Sequence, residues 1–199
     1  MRAAAPLPDL SHASVPPLEV ARALGGVLVD RLPILIPRPE DEVLLRPLLG
    51  QLPPHFLALH PGSGSARKNW PAERFVTLAG RLARDRPCLV IEGPADEGVT
   101  LPFHASRAVF ARGLPLRALG GLLARAGLYV GNDSGVTHLA AAFGAPTLAL
   151  FGPTDPQIWS PLGPRVRVVR APQGRLETLE VAAVQREAGM LSGVSDRSP

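Results

Sequence analysis

The chain is nearly without cysteine and lysine. It has one of each in 199 residues, Cys88 and Lys68, against 20 arginines. A lone cysteine in the apolar run Cys88-Leu89-Val90-Ile91 excludes an internal disulfide framework and points to a buried thiol in a reducing compartment. No stretch has the unbroken apolar length of a membrane span, and Arg2 is not followed by the apolar region of a signal peptide. These absences read as a cytoplasmic protein. Aromatic residues are scarce at 5%, and none is interleaved with a dense basic run, so nucleic acid is not the expected partner despite a net charge of +4. That charge suits a small anionic ligand or an acidic surface, although a general preference for arginine would produce it equally. His55, His60 and His104 have no Cys or His neighbour at ligand spacing, and no metal site is expected.

What is present is a 46% apolar, 19% charged composition, that of a globular domain with a substantial core. Ten of the 23 prolines fall in the first 54 residues, so 1–54 reads as a Pro-rich arm or interdomain linker. Within it, Leu18 to Leu24 suits a short helix and Pro33 to Pro37 a short edge strand. From Phe56 the pattern becomes an alternation of apolar strands and amphipathic helices, the signature of a parallel sheet covered by helices. Strands are expected at 56–59, 88–91, 108–110, 128–130, 147–151 and 166–169. Helices are expected at 71–84, over Leu116 to Ala126, at 136–143 and over Val181 to Leu191. Residues 192–199 read as a disordered tail. The expected architecture is one α/β, Rossmann-like domain over 55–191, with a parallel sheet and helices on both faces.

In a parallel sheet the loops after the strands all lie at one edge, so 60–70, 92–97, 111–114, 131–138 and 152–157 should line a common crevice. The loop His60-Pro61-Gly62-Ser63-Gly64-Ser65-Ala66-Arg67-Lys68 offers glycines for close backbone approach, hydroxyl donors and the only lysine. Its spacing is not that of a P-loop, which disfavours an NTPase; an ordinary surface turn is the plain alternative. In Gly131-Asn132-Asp133-Ser134-Gly135-Val136-Thr137-His138, Asp133 or Ser134 could simply cap the next helix. Otherwise a diphosphate sits on the N–H groups of Ser134 and Gly135, with Asp133 toward sugar hydroxyls and His138 one turn on. A hydrolase using Ser134 and His138 lacks the expected G-x-S-x-G context. Asp96-Glu97 suits a ribose diol or a solvated helix start. Trp70 and Trp159 are expected to pack against their own loops.

The segments HPGSGSARKNWPAERFVTLAGRL, IEGPADE and LYVGNDSGVTHLAAAFGAPTLALFGPTDP, in that order, resemble the C-terminal domain of glycosyltransferase family 9, the ADP-heptose:lipopolysaccharide heptosyltransferases. The resemblance covers roughly residues 55–190. It implies the C-terminal half of a GT-B fold, in which two Rossmann-like domains face each other across a cleft and the donor sugar nucleotide is held without a metal or other cofactor. It implies that Ser63, Gly64, Ser65 and Lys68 contact the donor diphosphate, that Glu97 binds ribose and that Leu114 lies against the base. Asp133, Ser134, Gly135 and His138 would surround the diphosphate and transferred sugar, with Lys68 and Asp133 taken as catalytic.

Two such halves need roughly 300 residues at about 150 per domain. Nothing here matches the family's N-terminal domain, which holds the lipopolysaccharide core acceptor and the general base. The chain alone is therefore expected to bind nucleotide and not to turn over, with peripheral contact at the inner face of the inner membrane a further expectation. A non-catalytic nucleotide-binding module and a GT-B nucleotide-sugar epimerase are the alternatives.

Overall fold

The computed structural model describes residues 12–27, 32–94 and 96–192. The elements before the sheet are helix α1 (Val15–Ala23) and helix α2 (Glu42–Leu49). Then β1 (Leu57–His60), α3 (Ala72–Ala83), β2 (Cys88–Glu92), α4 (Glu97–Thr100) and β3 (Ala108–Arg112) alternate along the chain. They are followed by α5 (Leu116–Leu123), β4 (Leu128–Asn132), α6 (Gly135–Ala142), β5 (Thr147–Phe151), α7 (Pro156–Trp159), β6 (Val166–Arg170) and α8 (Val181–Ser192). All six strands pair in parallel, in the order β3-β2-β1-β4-β5-β6. This is the doubly wound α/β arrangement expected from the sequence, with the order reversing between β1 and β4.

The four inner strands β2, β1, β4 and β5 are buried along their whole length because both faces of the sheet are covered, whereas the edge strands β3 and β6 are only partly buried and carry arginines. Side chains alternate between two cores. Leu57, Leu59, Val90, Leu128, Val130 and Leu148 meet Phe75 and Leu78 of α3 and Val184 and Ala188 of α8. Ala58, Leu89, Ile91 and Tyr129 point the other way, toward Leu45 of α2, Leu119 and Leu122 of α5 and Ala140 of α6. Cys88 is buried in the first core, and burial pushes its thiol up to about 11. Gly120 of α5 permits close approach of the end of α6, because a Cβ there would overlap the Phe143 ring.

Most element boundaries differ from the sequence reading by a residue or two, and three differences have physical content. Pro71 precedes α3 as its N-cap, in extended ψ, rather than occupying the first helical turn. Residues 33–37 form no strand; the Leu35 N–H donates to the Ala142 carbonyl, at the end of α6, and not to a sheet. α2, inside the Pro-rich segment, tolerates Pro47 and buries Leu45. It is tied to α5 by Arg117, whose Nε and Nη2 donate to both Asp41 carboxylate oxygens, and by Arg125 to Glu42. α8 runs to Ser192, and the tail expected beyond it lies outside the described residues. Among the described residues no helix is long and apolar enough to cross a membrane.

Leu45→Ala should lower unfolding free energy by about 2–5 kcal/mol, the usual range for a fully buried leucine. Urea denaturation checks this. An unchanged midpoint would show that α2 is not docked on the domain.

Candidate functional site

The switch in strand order opens a crevice at the C-terminal ends of β1 and β4, where His60 is in register with Gly131. The sequence builds this crevice by making the β1–α3 connection irregular and then fastening it. Asn132, fully buried at the end of β4, accepts from the Trp70 backbone N–H at 3.0 Å and donates to the Pro61 carbonyl at 2.7 Å. Trp70 is itself fully buried. Its Nε1 donates to the Leu179 carbonyl at 2.8 Å, and its ring meets Phe75 edge-on at 4.8 Å. It therefore anchors in the core rather than merely against its own loop.

Within the fastened loop, the Ser63 hydroxyl is engaged with Ser65 and Asn69, while Gly64 is exposed. Ser63 thus shapes the loop. Lys68 crosses the crevice, and its Nζ donates to Asp133 Oδ2 at 3.0 Å. The same oxygen accepts from the Thr154 hydroxyl at 2.9 Å, which brings the β5–α7 loop to the site. Asp133 is almost buried, whereas Lys68 retains 29% of its side-chain exposure and so can move toward a ligand.

Ser134 occupies the N-cap position of α6, but its side chain accepts no capping bond. The first N–H groups of α6, at Gly135 and Val136, are consequently left without a side-chain cap. The Ser134 hydroxyl lies instead 3.2 Å from His60 Nδ1, and His60 Nε2 lies 3.2 Å from Asp96 Oδ2. Asp96 also accepts the Gly93 N–H at 2.9 Å. The bond from His60, aided by Gly93, holds the Asp96 carboxyl below the usual range against the opposing effect of burial. Gly62 is required beside it, because any Cβ there would overlap the Asp96 carboxyl group.

The order Ser134–His60–Asp96 has the connectivity of a hydrolytic triad. Yet Ser134 has φ −153° and ψ 162°, relaxed extended backbone rather than the strained elbow that thrusts a nucleophile forward. His138, the histidine considered for such a role from the sequence, lies one turn into α6, and the serine faces His60. Partial desolvation lowers the proton affinity of His138; Lys68 and His12 act the same way, and Asp133 opposes them. His138 and Gly135 also line an apolar cavity of about 500 Å³ formed with Leu35, Leu139, Ile158 and Trp159.

The remaining expected residues lie farther along the sheet edge. Asp96 turns inward to His60, while its neighbour Glu97 is exposed on the first turn of α4. Leu114 is half-buried against the second core just after β3. Glu92, in register with Arg112, takes a two-point ion pair from that arginine and a bond from Thr100. Arg112 holds the Glu92 carboxyl well below its ordinary range. Of the loops expected to converge, 60–70 and 131–138 meet, joined by Gly93 and Asp96 and by Thr154, whereas among the described residues no hydrogen bond brings 111–114 to them. Sequence reasoning singled out Lys68, Asp133 and Ser134, but missed the site roles of His60, Asn132 and Thr154. Only their positions at strand ends or in the following loop could have signalled them.

The model of glycosyltransferase family 9 (heptosyltransferase) matches residues 41–187. Lipooligosaccharide heptosyltransferase 2 of Haemophilus influenzae is 31% identical over 163 residues, covering 76% of this chain and 46% of that protein. Lipopolysaccharide heptosyltransferase 1 of Escherichia coli K12 is 32% identical over 128 residues, covering 62% of this chain and 40% of that protein. The chain thus spans less than half the length of these curated relatives. Among solved structures, a family 9 glycosyltransferase from Veillonella parvula superposes with a TM-score of 0.81 at 23% identity, over 94% of this chain and 62% of that one. An E. coli heptosyltransferase solved with ADP gives 0.66 at 25% identity, over 86% and 53%.

Asn132→Ala removes both fasteners of the β1–α3 loop. It should destabilise the protein by about 1–3 kcal/mol for each buried group left unpaired. Chemical denaturation tests this; a loss below 0.5 kcal/mol, of the order of an ordinary surface substitution, would mean that the loop is held by packing alone.

Proposed function

From a chain that belongs to glycosyltransferase family 9, we propose the donor-binding half of a heptosyltransferase, which holds ADP-heptose while the sugar passes to a lipopolysaccharide core acceptor. The observation that carries this reading is the crevice itself. Lys68, partly exposed, reaches Asp133, two residues before the uncapped start of α6, so an ammonium group and the first N–H groups of that helix lie together. Such a crevice suits an anion carrying more than one charge.

In this reading the diphosphate lies across the N–H groups of Gly135 and Val136, with Lys68 moving from Asp133 onto a phosphate oxygen. Ser65 and Gly64 line its other side, with Ser63 holding their loop. The ribose extends toward Glu97 and the base toward Leu114. Asp133 and His138 border the transferred sugar, and Thr154 keeps Asp133 in place. Cleavage of the bond between sugar and diphosphate places negative charge on departing ADP. Fixed N–H dipoles and the Lys68 ammonium stabilise that charge more than they stabilise the intact donor. No metal or other cofactor is invoked, since lysine and helix terminus supply the positive potential. The acceptor and the base that deprotonates it belong to a further domain, and contact with the cytoplasmic face of the inner membrane would come with that acceptor.

A charge-assisted hydrogen bond contributes about 1.5–3 kcal/mol. Lys68→Ala should therefore weaken ADP binding roughly tenfold to a hundredfold. Calorimetric titration of the purified chain reads this directly; unchanged affinity would remove Lys68 from the site.

A further inference from the structure

The hydrogen-bond directions around Ser134 leave a question that only the charge of His60 can answer. Tyr129 is fully buried and its hydroxyl lies 3.0 Å from that of Thr137. Thr137 in turn donates to the Asn132 carbonyl, so it has no proton left for Ser134. Asp96, kept ionised by its partners, can only accept, which requires a proton on His60 Nε2. A neutral His60 then presents a lone pair at Nδ1. The neighbour recorded at hydrogen-bond distance from Nδ1 that can fill it is the Ser134 hydroxyl. In that state the serine spends its hydrogen on the imidazole and turns oxygen lone pairs toward the crevice, which repel an anion. When His60 carries a second proton, Nδ1–H donates to Ser134 Oγ. The serine hydrogen is then released from the imidazole, and a ligand at the uncapped N-terminus of α6 competes for it with the Thr137 hydroxyl oxygen, 3.2 Å away.

We infer that diphosphate binding at the start of α6 loads a proton onto His60, reversing the His60–Ser134 hydrogen bond so that Ser134 donates to the ligand. The inference rests on the donor-site reading above and adds a positioning residue to it. His60 does not touch the ligand; it acts through Ser134. The groups facing this relay are Asp96 from the β2–α4 connection, Lys68 and Asp133 across the crevice, Tyr129 on β4, and Thr137 and His138 on α6. Asp96 stands against Nε2 of the ring, and the incoming diphosphate brings further negative charge to the side of Nδ1 and Ser134. Binding and protonation of His60 therefore favour each other by linkage. Affinity gained this way falls as pH rises.

The test is calorimetric titration of the full chain with ADP near neutral pH, in buffers of different ionisation enthalpy, which counts protons taken up per ADP bound. Ionisation of ADP itself is common to every variant and cancels in the comparison. Wild type should take up more protons than His60→Asn, with Ser134→Ala in between. Its ADP affinity should also fall more steeply with rising pH than that of His60→Asn. Ser134→Ala leaves the His60–Asp96 bond in place, so it serves even if His60→Asn does not fold. Equal proton counts in wild type and both variants would overturn the inference while leaving the donor site standing. Loss of the uptake only in His138→Asn would assign the proton to that residue and overturn it as well. A folded wild-type chain that binds no ADP would remove the donor-site reading and the inference together.

Discussion

The irregular backbone between β1 and α3 is the constraint on which the site depends. A parallel sheet satisfies its own amide groups only along its strands, and a buried loop must find partners elsewhere. Here Asn132 serves both ends of that loop, donating to Pro61 and accepting from Trp70. Because Asn132 is the last residue of β4, the loop after β1 is fixed by the strand across the switch point. Lys68 and Asp133 face each other for the same reason. The distance between them is a consequence of strand register and one amide side chain, which is why residues 65 positions apart can form one site.

The scarcity of lysine gains meaning from this geometry. Arginine dominates the structural ion pairs, where its planar fork meets a carboxylate at two points: Arg117 with Asp41, and Arg112 with Glu92. Such a fork is slow to surrender its partner. In the proposed reading the one lysine stands where a cation has to exchange partners, on a flexible stem that reaches Asp133 with one hydrogen bond. A compact ammonium group can swing from a carboxylate to a phosphate without dismantling a two-point bond.

The alternation of strands and helices was legible because strand periodicity and helix periodicity are both local, and the six strands fall close to where apolar runs end in polar loops. The pattern at Pro33 to Pro37 misled for an equally local reason: an apolar triplet between prolines reads as a strand, and only a neighbouring strand edge makes it one. α2 stayed hidden because proline density argued for an arm, whereas Leu45 and the Arg117–Asp41 pair dock it on α5. In the site, Lys68, Asp133 and Ser134 announced themselves through glycine-rich, polar loops. His60 did not, since a histidine closing an apolar strand looks like any other. Its two partners lie 36 and 74 residues away, and no local signal encodes them. Of the two readings open for Ser134, capping fits by residue type and position only: its hydroxyl makes no cap bond and lies against His60.

The crevice has its charges paired, and this shapes what binding can gain. Lys68 does not wait as an isolated cation; it starts from Asp133, so a diphosphate must offer it more than a carboxylate does. Part of that difference comes from the start of α6, whose N–H groups have no side-chain cap to lose. Asp133, once released by Lys68, keeps the Thr154 hydroxyl and so remains directed at the same space. A carboxylate held there beside departing diphosphate would be unfavourable unless something intervenes. In the proposed reading the transferred sugar intervenes, with its hydroxyls accepting the role of donors to Asp133. The same exchange that frees Lys68 for phosphate therefore frees Asp133 for sugar. In that reading a ligand with only one of the two parts leaves one member of the pair without a partner, whereas a diphosphate joined to a polyol satisfies both.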